Sequence, residues 1–187
     1  MSLSCTNALP IQNNLMNSSL NALRYDSSET SFEIGNATKE TDSSSDGKRI
    51  GLILVGSTVH LATYADSSTQ ANPIVKVGDY EVSINDVDPT NATELEMFAY
   101  LSYMDDTNQT NNKGICSFGK MRAYADIAEM SGICEGIRDE NAIYTKKQDW
   151  TEIITSIKQS FLQNPQTYKQ ALDCDNLLFA MSKANSQ

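Results

Sequence analysis

Residues 80–99 (YEVSINDVDPTNATELEMFA) constrain the fold of this chain more than any other stretch. They read as a strand, a turn and a capped helix in direct succession. Asp88-Pro89 starts the turn, since Asp bonds its own backbone and Pro fixes one dihedral. Asn91 and Glu94 have capping-box spacing, in which the Asn oxygen accepts a backbone N–H and the Glu side chain returns one. Leu95, Phe98, Ala99 and Leu101 then supply a buried helical face up to about Met104. Strand patterns lie before this switch and helical patterns after it.

Upstream, 50–55 is a continuous apolar run, which predicts a strand buried on both faces. After the Gly56-Ser57 break, 58–64 continues in β-branched and aromatic residues. The runs 73–77 and 80–84 flank Gly78-Asp79. Glycine first in a two-residue loop suits a type II′ hairpin, because it tolerates positive φ. An antiparallel sheet of three or four strands is expected.

Downstream, a polar loop is expected at 105–113, with Asp105-Asp106 solvated. Ser117 is placed to cap a second helix, with Phe118, Met121, Tyr124, Ile127 and Ala128 on its buried face and Gly132 ending it. Trp150, Ile153, Ile154, Ile157 and Phe161 form one stripe of a third helix over 147–163. Asn164-Pro165 reads as a cap and first turn. The fourth helix then carries Tyr168, Ala171, Leu172, Leu178 and Met181 inward, making an αα-hairpin with the third. The expected fold is α+β: a small antiparallel sheet of three to four strands followed by about four helices packed on it.

The piece YEVSIND leading into NATELEMFA at 80–99 resembles a motif of an uncharacterised protein family of Clostridia-type, often gut-dwelling, bacteria. GICSFG at 114–119, KKQDW at 146–150 and YKQAL at 168–172 resemble further family segments in matching order, so the likeness covers about 48–181. The resemblance implies no known activity, catalytic residue, cofactor or substrate. It also implies Ser rather than Cys near position 116.

Residues 1–47 are expected to form a flexible polar arm, with Ser-, Thr- and Asp-rich linkers at 27–28 and 41–47. Leu15, Met16, Leu20 and Leu23 are spaced for a short amphipathic helix at 12–25. Residues 48–187 are expected to form a single α+β domain, long enough to fold without a metal or disulfide staple. The net charge is −10, with 14 basic against 24 acidic residues. Binding to a phosphate backbone rests on Lys and Arg displacing counterions, so nucleic acid and anionic membranes are poor partners. No apolar run approaches the ~20 residues of a spanning helix. Without a signal peptide a cytoplasmic location is the default expectation, with export left open. Cys5, Cys116, Cys134 and Cys174 contain no CxxC pair; reduced thiols are expected, with a Cys134–Cys174 bridge open to an exported protein.

Candidate chemistry is sparse. His60 is the sole histidine, so any Cys-His or Ser-His mechanism must use it. Cys116, just ahead of a helix N-terminus and between Gly114 and Gly119, is the candidate nucleophile. Asp86 and Asp88 are the candidate metal ligands. Read as an EF-hand loop from Asp86, however, position six is Asn91 rather than Gly and position twelve is Met97 rather than Glu. Neither GxGxxG nor GxxxxGK[ST] occurs, so no cofactor is expected. The leading expectation is a non-catalytic protein-binding or structural module with an unknown protein partner. The alternative is a small thiol-dependent hydrolase or transferase using Cys116 with His60.

Overall fold

The computed structural model describes residues 47–110, 116–137 and 142–186. The amphipathic helix expected at 12–25 and Cys5 lie outside them. The described chain is α+β, with four strands followed by four helices. Strands β1 (Arg49–Val55), β2 (Thr58–Tyr64), β3 (Ile74–Val77) and β4 (Tyr80–Ser83) lie in sequence order, each antiparallel to the next. Tight turns join β1 to β2 and β3 to β4, and residues 65–73 connect β2 to β3. Gly56 (φ +58°) and Gly78 (φ +59°) each stand first in a two-residue loop, where positive φ lets the strands keep their twist.

Paired residues share a face, so Ile53, Ala62, Val75, Val77 and Val82 form one buried sheet surface. The expectation that 50–55 is buried on both faces is overturned. Helical packing covers the Gly51 and Ile53 face of β1, and Leu52 and Leu54 are 61% and 62% exposed on the opposite face. Val59, paired with Leu54, is exposed beside them.

Helix α1 (Glu94–Asp106) packs across β1 and β3. Gly51 allows that approach, since a Cβ there would collide with Ser102 and Phe98 of α1. The cap lies two residues beyond the expected Asn91. Thr93 Oγ1 accepts from the Glu96 amide (3.2 Å), and Glu96 accepts from the Thr93 amide (2.6 Å). Two capping boxes compete in NATELE, and the later one frees Glu94 to point inward.

Asp105 and Asp106 are not a solvated loop but the last residues of α1. Asp105 accepts from the Ser117 amide (2.8 Å) and hydroxyl (2.7 Å). Ser117 is therefore the first residue of α2 (Ser117–Met130), and Cys116 is its cap. Asp106 accepts from Tyr64 Oη (2.8 Å) and pairs with Lys48 (2.5 Å). Gly132, at φ +71°, follows the end of α2 as expected.

Helix α3 (Trp150–Leu162) is capped by Asp149, which accepts from the Glu152 amide (2.7 Å). All five stripe residues of α3 are buried. The Asn164-Pro165 joint forms a short 3-10 turn leading into α4 (Tyr168–Ser182). The inner face of α4 is Ala171, Cys174, Leu177, Ala180 and Met181. Tyr168 and Leu172, expected inward, are exposed together with Phe179. Both stripes of α4 are apolar, so spacing alone did not choose between them.

Trp150 is fully buried and donates its indole N–H to the Ala92 carbonyl (2.8 Å). Ala92 also bridges Gln148, which ties the strand-to-helix switch to the start of α3. Tyr100 Oη donates to the Ala180 carbonyl (2.8 Å), locking α1 to α4. Burial pushes that phenol up to about 12.

Candidate functional site

The outer edge of β1, which no other strand pairs among the described residues, borders a cleft of about 390 Å³. Consecutive residues from Leu52 to Gly56 line it, so its wall is the edge of the strand rather than one face. The opposite wall is the start of α2, with Cys116, Phe118, Gly119 and Arg122. Glu94 and Ile143 complete the lining. Phe118 is buried edge-on against Phe98 of α1 (centroids 5.0 Å), which holds α2 at its place along the strand.

The two-residue hairpin fixes which backbone groups face the cleft. Val55 and Thr58 close the loop as a hydrogen-bonded pair, so β1 residues bond β2 alternately from Val55 backwards. The N–H and C=O groups of Leu52 and Leu54 consequently point away from β2. Among the described residues no backbone hydrogen bond reaches them from that side.

Glu94 is buried and pairs with Arg122, whose Nε also reaches Asp126 (3.3 Å). Burial raises the Glu94 carboxyl above its ordinary range, against the pull of the Arg122 charge. A neutralised ion pair thus stands beside apolar Phe118 and Ile143. Cys116 is exposed, and its Sγ accepts from the Gly119 amide (3.4 Å) as the cap of α2.

The cleft does not include His60. This residue lies opposite Ile53 on β2, one strand in from the edge. Its Nε2 is 3.0 Å from Tyr144 Oη, and Tyr144 in turn stacks on Tyr80 (centroids 5.1 Å). Among the described residues the side chain of His60 thus meets Tyr144, and that of Cys116 meets the Gly119 amide. Asp88 makes a turn, accepting from the amide (2.9 Å) and hydroxyl (2.8 Å) of Thr90; these bonds hold its carboxyl below the usual range. Asp86 is exposed at the end of a 3-10 turn. No group of three or more His, Cys, Asp or Glu side chains is placed to hold a metal among the described residues. Cys116, Cys134 and Cys174 are free thiols, so the Cys134–Cys174 bridge is absent. No helix among the described residues is long and apolar enough to cross a membrane.

A second cavity, of about 320 Å³, lies by Tyr64, Pro73 and Tyr103. Its two tyrosines meet edge-on (centroids 6.3 Å), and Tyr64 is held by Asp106.

Sequence reasoning missed the Glu94–Arg122 pair and the open β1 edge. The edge had a partial signal: the tight turn at Gly56-Ser57 pairs β1 with β2, and β2 pairs with β3 on its other side, which leaves β1 at a margin. The ion pair had none, as its partners lie on different helices. Comparison with family models, with curated proteins and with solved structures finds no match for this chain.

Proposed function

We propose that this protein is a non-catalytic binding module for another protein, engaged through the β1–β2 side of the sheet. The observation that carries this reading is the grouping of Leu52, Leu54 and Val59, 61%, 62% and 55% exposed, beside a strand edge that has no partner strand among the described residues. Exposed apolar side chains grouped on one face, rather than scattered singly, mark interaction sites on folded domains. With a net charge of −10, the reading takes a protein partner rather than nucleic acid. The test is affinity capture with the full chain against a Leu52→Ser/Leu54→Ser/Val59→Ser variant of unchanged melting temperature. A partner retained by the parent and lost by the variant is expected. Equal capture by both chains would remove this surface from the reading.

A second reading, a thiol-dependent hydrolase or transferase, draws on the exposed Cys116 in the cleft. It requires His60 to leave Tyr144. Cys116→Ala should abolish any acyl or peptide hydrolysis; turnover equal to the parent's would end it.

A further inference from the structure

The geometry points to an extended, uncharged aliphatic peptide segment as the partner, added as a fifth strand along β1 between that strand and α2. This mode rests on the protein-binding reading above and gives it a chemistry. Three observations carry it. The backbone groups of Leu52 and Leu54 point outward with no partner among the described residues, and an incoming strand satisfies them with its own main chain. The cleft runs along the last four residues of β1, Leu52 to Val55, and the turn residue Gly56, so its length follows the strand. The outer environment of an added strand is apolar, and the inner one sets apolar Phe118 and Ile143 beside the Glu94–Arg122 ion pair. Its outward side chains lie beside exposed Leu52 and Leu54, and its inward ones drop toward Phe118 and Ile143.

Charge narrows the sequence that fits. Arg122 already pairs with Glu94 and Asp126, so an inward-pointing carboxylate must compete for a guanidinium that is already shared. Desolvating a charge without a partner is costly. Alternate side chains of an added strand point to opposite faces, so the best segment is aliphatic at successive positions. A second copy of the chain fits less well. Pairing β1 with β1 about a two-fold axis brings a second α2 to the same side of the seam, where both helices contend for the space that one peptide occupies.

The test uses the full chain and a phage-displayed library of ten-residue random peptides, with selected peptides synthesised and measured by fluorescence anisotropy. Uncharged aliphatic sequences are expected. N-methylation at every second peptide residue should weaken binding about tenfold or more, and methylation between those positions less than about twofold, because only alternate amides face β1. Leu54→Pro removes one outward amide and no bond to β2, a substitution edge strands accept. It should weaken binding about tenfold with the melting temperature held. Hydrogen exchange at Leu52 and Leu54 should slow when peptide is added. Helical or charged peptides that tolerate every N-methyl group and the proline would overturn strand addition while leaving a protein-binding module standing. Protection of the two amides in the free chain would also overturn it: concentration-dependent protection assigns the edge to a second copy, and concentration-independent protection to a segment of the same chain. No selected peptide, with both amides unprotected and no loss of partner capture in the triple-serine variant, would remove the mode and the binding reading together.

Discussion

At the scale of single residues, two glycines separate backbone demand from space. Gly78 and Gly132 both hold left-handed φ, +59° and +71°. A Cβ at Gly78 would stand 2.8 Å from His60 Nδ1, whereas nothing lies within 4 Å of one at Gly132. Gly132→Ala should therefore lose only the backbone preference, about 1 kcal/mol. Gly78→Ala must also displace His60 and should lose about 2–3 kcal/mol. Urea denaturation of both variants checks the difference; equal losses would mean His60 moves aside freely. The Glu94 carboxyl makes a prediction with a definite sign. Its folded pKa is raised by burial, so its contribution is fully present below the ordinary carboxylate pKa and is lost as pH rises through the raised value. Arg122→Ala removes the charge opposing that shift. It should destabilise the fold by about 2 kcal/mol, given that Arg122 keeps some contact with solvent, and the loss should grow with pH across that window. A pH series of denaturation midpoints reads this, and a loss that shrinks with pH would reverse the assignment.

At the scale of elements, the start of α1 shows how local signals compete. NATELE offers Asn91 with Glu94 and Thr93 with Glu96, and both pairs satisfy capping-box spacing. The structure uses Thr93 and Glu96, because Glu94 then reaches Arg122 of α2. Thr93→Ala should lose about 1 kcal/mol and Asn91→Ala less than about 0.5 kcal/mol; thermal denaturation of both variants decides which residue caps the helix. Helix α4 poses the same problem across its width. Leu177 is buried and Leu172 is exposed, although both sit on apolar stripes. Leu177→Ala should lose about 2–4 kcal/mol, and Leu172→Ser less than about 1 kcal/mol. A comparable loss at Leu172 would mean that its stripe is covered.

At the scale of the whole molecule, buried titratable groups link stability to alkaline pH. Burial pushes the Cys174 thiol up to about 12, as it does the Tyr100 phenol. Each holds its proton in the folded state at a pH where the unfolded chain releases it. Stability should therefore be fully present below about pH 8.5, the unperturbed thiol value, and fall as pH rises further. Cys174→Ala should flatten the first part of that decline, read by denaturation midpoints between about pH 8 and 10; an unchanged slope would place its cause elsewhere. The same burial makes Cys174 a reporter of global opening. Cys116 is exposed and should alkylate in the native protein, while Cys174 should react only as the fold opens. Mass spectrometry in increasing urea reads both, and early labelling of Cys174 would reveal local opening of α4.

Short-range rules made much of this architecture legible. The Gly78-Asp79 turn, the α3 stripe from Trp150 to Phe161 and the Asn164-Pro165 joint follow from backbone sterics and periodicity within a few residues. The α+β order follows from where the period changes near residue 90. Among candidate site residues, Cys116 was legible as a thiol at a helix start, yet neither its cleft nor the Tyr144 partner of His60 was. Tertiary structure decided which apolar residues are covered. Leu52 and Leu54 read like core, but β1 is an edge whose outer face is covered by no described element. Spacing placed Leu172 inward and left Leu177 out, and the structure has them the other way round. Burial depends on what arrives from elsewhere in the chain, and neither spacing nor propensity encodes that arrival. For the same reason the cleft between β1 and α2 exists only once distant elements have packed.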